Sequence, residues 1–299
     1  MRRSPIKWPA LVLAFILAAC SGAGGTPATS TAEPTAPPAA PQAASVAPSA
    51  AEAAADEHLV SIGDRSLWVE CEGEGGPTII LESGLGGDHR TWERVEPALA
   101  ASSRVCTYDR AGIGESDPAA GTRTAADAVD DLAALLDSAG IEGPYVLVGH
   151  SFGGAIAQLY AATHPEEVVG LVLVESNHPM EAAQFEEHLT PAQIEEDRAG
   201  VLGNPEQMDV FAGLDEVQAA GSLPNVPLVV VTAGIAEGWP PGWDAATFDA
   251  LRSAQQADLA TFTGNGSQVI AETSGHHVPS QEPETIVATV EQVLDSIGD

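Results

Sequence analysis

The sequence predicts an α/β domain with a mostly parallel β-sheet, and two patterns after residue 58 support this class. Short runs rich in β-branched and aromatic residues alternate with longer stretches of helical periodicity. Several of the short runs are apolar at every position, which is typical of parallel strands covered by helices on both faces. Residues 58–299 fall within the size range of one such domain.

Strands and helices are predicted in alternation along this domain. The second helix places Leu132, Leu135 and Leu136 on one face, because they follow one another at helical spacing. This alternation favours βαβ units that pack against a common sheet. The predicted strands are residues 66–73, 77–83, 104–109, 144–150, 168–175, 226–234 and 267–273, and the predicted helices are residues 91–101, 124–138, 152–163, 244–261 and 283–297.

A polar, acidic stretch interrupts the alternation at about residues 179–225, between two of the predicted strands. It contains several helical fragments and is too long for an ordinary connecting loop. We expect a short helical cap over the sheet, with a simple surface excursion as the alternative.

The N-terminus has the pattern of an export signal. Arg2, Arg3 and Lys7 precede an apolar run at residues 10–19, which is too short to cross a bilayer. The run ends in Leu-Ala-Ala-Cys, which resembles the lipobox of bacterial lipoproteins. The resemblance implies removal of residues 1–19 and lipidation of Cys20, and the alternative is an ordinary cleaved signal.

Residues 20–57 are predicted to be a disordered tether. They consist mainly of Ala, Pro, Thr and Ser, and they hold no large hydrophobic residue except Val46. Such a segment cannot bury enough apolar area to offset the entropy of ordering it. We therefore expect an extracytoplasmic domain, residues 58–299, that is held at the membrane only through the lipid on Cys20.

The charge balance excludes several functions. The chain of 299 residues has 11 Lys and Arg against 43 Asp and Glu, so its formal net charge is −32. Such a surface repels the phosphates of nucleic acids, which need clustered cations to bind. The only lysine is Lys7 in the predicted signal. The mature domain therefore cannot use a P-loop lysine, a lysine Schiff base or a Ser-Lys dyad.

A nucleophilic serine is predicted at Ser151. Residues 149–153 read Gly-His-Ser-Phe-Gly and match the G-x-S-x-G pattern. The predicted strand at 144–150 runs into the motif and the helix at 152–163 follows it, which is the context that gives this motif its meaning. The sharp turn needs glycine two residues before and two residues after the serine, because side chains there would clash, and it exposes the hydroxyl at the N-terminus of a helix.

A serine hydroxyl needs a general base, and His276 is the preferred candidate. It lies on a loop after the last predicted strand, next to His277, which is the nearest rival. Adjacent side chains on an extended loop point apart, so only one of the two imidazoles can face Ser151. Consecutive histidines do not converge on one metal ion, so no metal site is predicted. His150 is expected to be a structural hydrogen-bonding residue.

The third catalytic group is less clearly marked. The strand at 226–234 is not followed by an aspartate, whereas the strand at 168–175 ends in Glu175. Catalytic groups of open α/β sheets gather at such C-terminal strand ends. We therefore favour Glu175 as the acid that orients His276, and Glu237 and Asp244 remain alternatives.

The loop Ser83-Gly84-Leu85-Gly86-Gly87 follows the strand at 77–83. Glycines there allow backbone N–H groups to face an oxyanion, and the amides of Leu85 and Phe152 are the expected pair of donors. Alternatively, the loop is only a glycine-rich turn.

Together these residues resemble the α/β-hydrolase superfamily. The signatures are SGLGG with Trp92 downstream, YDRAGIGESD at 108–117, GHSFGG and SGHHVP. The resemblance implies an eight-stranded sheet, a Ser–acid–His triad and no cofactor. Ser83 replaces a histidine common at the start of the oxyanion loop, and the acid follows the sixth strand, as in some haloalkane dehalogenases. Those enzymes use an aspartate nucleophile, so the serine argues against dehalogenase and epoxide hydrolase chemistry.

The same resemblance places the second strand beside the fourth in an antiparallel arrangement. Cys71 closes the former and Cys106 opens the latter, so a disulfide between them is expected in an exported protein. Two buried free thiols are the alternative.

The expected function is that of a lipid-anchored serine hydrolase that cleaves a small acyl substrate, an uncharged or weakly charged carboxylic ester. Amidase or peptidase, lactonase and cofactor-free lyase activities are alternatives on the same fold, and a noncatalytic surface binding protein is an alternative of another class. Leu85, Phe152, Trp239 and Trp243 are candidates for an apolar lining of the acyl pocket. The sequence does not predict the oligomeric state.

Overall fold

One eight-stranded sheet organises residues 58–236 and 238–297, which are the residues that the computed structural model describes. The strand order is β1-β2-β4-β3-β5-β6-β7-β8. Strand β2 pairs antiparallel with β1 and β4, and all the other pairs are parallel. The strands are β1 (Leu59–Ser61), β2 (Ser66–Glu72), β3 (Thr78–Glu82), β4 (Val105–Tyr108), β5 (Tyr145–His150), β6 (Val168–Val174), β7 (Leu228–Ala233) and β8 (Gly266–Ala271).

Helices connect the parallel strands and cover both faces of the sheet. A 3₁₀ turn at His89–Trp92 precedes the first α-helix. The α-helices of the described residues are α1 (Glu96–Ala100), α2 (Ala125–Ala139), α3 (Phe152–Thr163), α4 (Glu181–Glu186), α5 (Pro191–Leu202), α6 (Val210–Ala220), α7 (Ala245–Leu259), α8 (Val278–Gln281) and α9 (Pro283–Ile297).

The central strands are apolar throughout because alternate residues enter two different hydrophobic layers. In β5, Leu147 packs into the layer that contains residues of α2, α3 and α6. Its neighbours Val146 and Val148 point to the opposite layer, which contains residues of α9 such as Val290. Burial on both faces thus explains the strand pattern in the sequence, and the expected α/β-hydrolase fold is confirmed.

The sequence-based element boundaries hold for most of the domain, with one helix wrong. The single helix expected at residues 91–101 is divided into the 3₁₀ turn and the short α1. Pro97 lies in the first turn of α1, where its missing N–H is tolerated, but it would have removed a hydrogen bond inside a longer helix. The strands predicted from individual sequence runs do not include β1, although the family resemblance implies eight strands.

Three helices, α4 to α6, occupy the stretch between β6 and β7 where a cap was expected. We call residues 179–225 the cap segment. Helix α5 buries no residue, whereas α6 buries Val210, Leu214 and Val217. These three side chains join the hydrophobic layer that α3 also enters, so α6 fixes the cap segment to the domain directly above the helix that follows Ser151.

Cys71 and Cys106 face each other in the antiparallel register of β2 and β4, and they form the expected disulfide. Their Cα atoms are 4.0 Å apart. The predicted signal, Cys20 and the tether lie outside the described residues. Within the described part of the chain, no helix is both long enough and apolar enough to cross a bilayer.

Candidate active site

Ser151 stands at the sharp turn between β5 and α3. Its backbone has φ 55° and ψ −124°, which is a conformation that favours glycine. The turn brings neighbouring backbone so close that a Cβ on Gly149 would lie 2.6 Å from the carbonyl oxygen of Gly153. A Cβ on Gly153 would lie 2.3 Å from the carbonyl oxygen of Ser83. Both glycines of the motif are therefore required by the backbone around the serine.

The structure brings Ser151, His276 and Glu175 together from three separate segments. Nε2 of His276 lies 3.0 Å from Oγ of Ser151, and Nδ1 lies 3.4 Å from Oε2 of Glu175. A carboxylate can only accept, so Nδ1 carries the proton and Nε2 is the acceptor for the serine hydroxyl. This is the geometry of a nucleophile, a general base and an orienting acid.

Glu175 is held in its charged form. Its side chain is 1% exposed, and burial alone would raise the pKa of this carboxyl. The hydrogen bond to His276, the charge of Arg252 and the Ala233 amide act against burial, and together they hold the pKa below its ordinary value. Arg252 Nη1 is 3.7 Å from Oε2, and the Ala233 amide donates to Oε1 at 2.7 Å. The strand end therefore supplies an ionised partner for the imidazole.

The rival candidates for base and acid occupy other places. Asp244 is exposed at the start of α7, where it accepts a hydrogen bond from Thr247 at 2.7 Å. His277 lines a separate cleft beside Arg90 and Arg94. Glu237 lies outside the described residues. Among the described candidates, His276 and Glu175 are the pair that lies next to Ser151.

The amides of Leu85 and Phe152 are positioned beside Ser151. Both residues line the same cavity as Ser151 and His276. Among the described residues, neither amide donates to another protein group. The Ser83 hydroxyl, which stands where the family often has a histidine, donates to the carbonyl of Asp88 at 3.0 Å and thereby ties the loop to itself. The two amides are available to an oxyanion on the substrate.

Sequence reasoning did not assign a role to Arg110 and Glu206, which hold the oxyanion loop from behind. Arg110 donates to the carbonyl oxygens of Ser83 and Gly84, at 2.5 and 2.7 Å. It also pairs with Glu206, whose other contact is the amide of Gly86 at 2.5 Å. The signal available in the sequence was Arg110 itself, since arginine is rare in this acidic chain and this one lies inside the YDRAGIGESD motif.

The cavity in front of Ser151 has a volume of about 390 Å³ and an aromatic wall. Trp239 and Trp243 stack with ring centroids 5.9 Å apart, and both line the cavity, as the sequence suggested. Charged groups also border it, namely Glu181, Asp197 and Arg252 among others. The aromatic part of the wall suits a compact apolar group next to the reacting bond.

Side chains that commonly bind metal ions do not gather at one place among the residues that the structure describes. No group of three or more His, Cys, Asp or Glu side chains there has the arrangement of a metal-binding cluster. The adjacent His276 and His277 are turned to different surroundings, with ring planes 69° apart.

Comparison with known proteins supports the same fold. Residues 77–238 match the family described as alpha/beta hydrolase fold. Lipase LipV of Mycobacterium tuberculosis is 34% identical over 171 residues, which cover 53% of this chain and 64% of that protein. The chain spans only 18%, 41% and 42% of the length of three other curated relatives.

Solved structures agree with this assignment at the level of the fold. The enol-lactonase from Burkholderia xenovorans superposes with a TM-score of 0.55 at 20% identity, covering 79% of this chain and 99% of that one. Alpha/beta hydrolase domain-containing protein 10 from mouse gives 0.61 at 19% identity, covering 79% and 97%. With the matched family region extending over more than half of its length, this chain belongs to the alpha/beta hydrolase fold family.

Proposed function

We propose that this protein is an extracytoplasmic serine hydrolase that cleaves a carboxylic ester through an acyl-enzyme intermediate. The observation that carries the proposal is the continuous chain of polar contacts from Ser151 through His276 to Glu175, which opens on an aromatic cavity. The family supplies the reaction class, and these contacts supply the roles of the individual residues.

The reaction begins when Ser151 attacks the ester carbonyl and its proton passes to Nε2 of His276. Glu175 stabilises the imidazolium that forms and keeps it in the orientation that faces the serine. The negative oxygen of the tetrahedral intermediate accepts hydrogen bonds from the amides of Leu85 and Phe152. His276 then returns the proton to the leaving alcohol, and the bond between the carbonyl carbon and the alcohol oxygen breaks.

Water completes the cycle by attacking the acyl-enzyme. His276 accepts a proton from this water and later donates it to Oγ of Ser151, so that the acid product leaves and the enzyme is restored. Each proton that leaves one oxygen is delivered to another, and the mechanism needs no further reactant besides the ester and water.

The shape and charge of the cavity favour an uncharged ester with a compact apolar group. Aromatic residues form much of the wall, and the protein as a whole has a formal net charge of −32. A strongly anionic substrate would be repelled on approach, and salt would weaken this repulsion. The similarity to a protein named lipase and to a solved enol-lactonase supports acyl-bond cleavage and makes lactones suitable comparison substrates.

The proposed location rests on the sequence before residue 58. The basic start, the short apolar run and Cys20 support a lipid-anchored protein on the outer side of the cytoplasmic membrane. Expression in bacteria with radioactive palmitate should label the wild type, and Cys20→Ser should abolish the label. Equal labelling of both proteins would contradict the anchor.

The catalytic proposal is tested with a fluorophosphonate probe and a panel of p-nitrophenyl esters, lactones and aminoacyl anilides. The wild type should be labelled and should hydrolyse the esters fastest. Ser151→Ala should lose the label and about 10⁶ in kcat, by analogy with the loss of the nucleophile in another serine hydrolase. Ser296→Ala, which removes a hydroxyl on the exposed surface of α9, is the control and should behave as wild type.

Two outcomes would contradict the proposal. Retention of label and turnover by Ser151→Ala would exclude this serine as the nucleophile. If the folded wild type does not react with the probe and does not hydrolyse any ester, lactone or anilide, the protein is instead a noncatalytic binding protein on the same fold.

A further inference from the structure

Every N–H group of the Arg110 guanidinium is used inside the protein, at a site behind the oxyanion loop. Nε and Nη2 each donate to Glu206 at 2.7 Å. Nη2 also donates to the carbonyl of Gly84, and Nη1 donates to the carbonyl of Ser83 and to Glu82. Guanidinium offers five donors and finds five acceptors here, while only 3% of the side chain is exposed.

One of these contacts, from Nη2 to the Gly84 carbonyl, fixes the orientation of the Leu85 amide. The peptide bond between Gly84 and Leu85 is trans, so its C=O and its N–H point in opposite directions. Because Arg110 holds the Gly84 carbonyl, the Leu85 N–H is turned away from Arg110. Leu85 also lines the cavity of Ser151. The Gly87 amide also donates to the Gly84 carbonyl, at 3.0 Å.

Glu206 fixes the next peptide in the same way. Its Oε1 accepts from the Gly86 amide at 2.5 Å, so the peptide between Leu85 and Gly86 is held as well. The Glu206 side chain is 1% exposed. Burial raises the pKa of this carboxyl, but the charge and hydrogen bonds of Arg110 outweigh burial and keep the pKa below its ordinary value. An ionised carboxylate is therefore retained behind the loop.

Glu206 comes from the cap segment, between α5 and α6, whereas Arg110 follows β4. The neighbouring Pro205 also approaches the loop, since a Cβ on Gly86 would lie 3.7 Å from its Cγ. The two peptides on either side of Leu85 are thus held by one residue of the loop after β4 and one residue of the cap segment.

We propose that the Arg110–Glu206 pair is the positioning device of the oxyanion hole, and that docking of the cap segment through Glu206 completes the hole. This inference rests on the proposed function, because it assumes that the Leu85 amide is an oxyanion donor. Neither side chain touches the substrate. Both act through the orientation of the Leu85 amide, so their loss affects the transition state more than substrate binding.

Glu206→Gln is the decisive variant. The amide keeps the shape of the side chain, but its NH₂ group must replace either Oε2, which accepts from Arg110 Nε, or Oε1, which accepts from Arg110 Nη2 and the Gly86 amide. Either way a donor of Arg110 loses its acceptor. Loss of one oxyanion donor typically decreases the rate by about 10²–10³. In Glu206→Gln the Leu85 amide is displaced rather than removed, so we expect kcat to decrease by about 10- to 100-fold. KM should change by less than about threefold, because ground-state contacts are unaltered.

An alkyl trifluoromethyl ketone provides a readout that a merely structural residue would not change. It adds to Ser151 and forms a tetrahedral oxyanion, so its inhibition constant should rise in Glu206→Gln by the same factor by which kcat/KM falls. Asp131→Asn is the matched control, because Asp131 also accepts from a buried arginine, Arg123, at 2.6 Å, but does not contact the oxyanion loop. It should lower Tm and leave kcat and the inhibition constant unchanged.

Glu206→Asp covers the case in which Glu206→Gln does not fold. It keeps the buried charge but shortens the reach to Gly86, and it should decrease kcat in the same direction by a smaller factor. The inference is overturned if the folded variants of Glu206 keep kcat and the inhibition constant within twofold of wild type. Ser151→Ala is assayed in parallel. If Ser151→Ala is inactive and the Glu206 variants have wild-type kcat, only this inference is overturned. If Ser151→Ala is active, the proposed function itself is overturned.

Discussion

Nε2 of His150 donates a hydrogen bond to the main-chain oxygen of His276 at 2.8 Å. A carbonyl oxygen only accepts, so this bond requires a proton on Nε2 of His150. Burial, followed by the proximity of His276, lowers the pKa of His150 to about 3. His150 thus remains neutral from mildly acidic to basic pH, and the residue before the nucleophile directly supports the loop that carries the base.

Replacement of His150 by Phe should decrease kcat about tenfold. The change keeps a ring of similar size but removes the donor, and a hydrogen bond of about 1.4 kcal/mol corresponds to a factor of 10 in rate. Steady-state hydrolysis of a p-nitrophenyl ester measures the effect. His277→Phe is the control, because that ring is exposed and lines the same cleft as His150 without donating to the main chain of His276. A wild-type rate for His150→Phe would show that the loop is held without this bond.

Glu175→Gln should decrease kcat by up to about 10⁴, the loss seen when the acid of a serine protease triad is neutralised. Glutamine can still accept from the Ala233 amide, but it cannot stabilise an imidazolium by charge. Asp244→Asn should leave kcat unchanged. A normal rate for Glu175→Gln together with a large loss for Glu237→Gln would reverse the assignment of the acid.

The same carboxylate should also contribute to stability in a defined pH range. The pKa of Glu175 is lower in the folded protein than its ordinary value of 4.5, so its stabilising effect is present above pH 4.5 and is lost as the pH falls through the folded value. The difference in unfolding free energy between wild type and Glu175→Gln should therefore shrink on acidification below pH 4.5. A difference that grows on acidification would contradict this sign.

The disulfide between Cys71 and Cys106 should stabilise the domain by about 3–4 kcal/mol in the chain-entropy model, given a sequence separation of 35 residues. Urea unfolding of the isolated domain 58–299 is compared with that of a Cys71→Ala/Cys106→Ala double variant. A thiol titration of the unfolded wild-type domain without reductant should find no free sulfhydryl. Two free sulfhydryls would disprove the disulfide.

Glu96 should make the protein less stable as the pH rises towards neutrality. Burial is the main cause that raises its pKa to about 7, and the charges of Glu72 and Glu70 on β2 add to it. The folded state therefore keeps a proton between pH 4.5 and 7 that the unfolded state releases, so the stability contributed by this group falls across that interval.

The corresponding variant is Glu96→Gln, measured by thermal unfolding at several pH values. Its Tm should exceed that of wild type at pH 8, and the difference should be smaller at pH 5. Glu93→Gln, at an exposed position nearby, should show no such trend. An equal Tm difference for Glu96→Gln at both pH values would exclude a pKa shift at this residue.

The local features of the site could be predicted because each depends on a short motif of residues that are neighbours in the sequence. Gly149 and Gly153 flank Ser151 because the backbone around the turn leaves no room for a Cβ. The choice of Glu175 followed from its place at the end of an apolar strand, and this place puts it within reach of His276. Strands such as β5 were evident since both of their faces are buried.

The support behind the oxyanion loop could not be predicted in the same way. Glu206 lies in an acidic stretch in which many carboxylates look alike, and only the folded position of the cap segment brings this one to Arg110. The contact joins residues 96 positions apart and follows no periodic pattern. The helix expected at residues 91–101 was wrong for a local reason, since Pro97 interrupts a run that is otherwise helical in composition.

The Cβ atom of Ser151 is needed for catalysis, because it carries the nucleophilic hydroxyl, but it lowers the thermal stability of the protein. Any residue with a Cβ is strained at φ 55° and ψ −124°, at a cost of about 1–3 kcal/mol. Glycine would relieve this strain and would also abolish the nucleophile. Among substitutions at this position, Ser151→Gly should therefore yield an inactive protein that melts at a higher temperature than the active enzyme, whereas Ser151→Ala should be inactive without that gain.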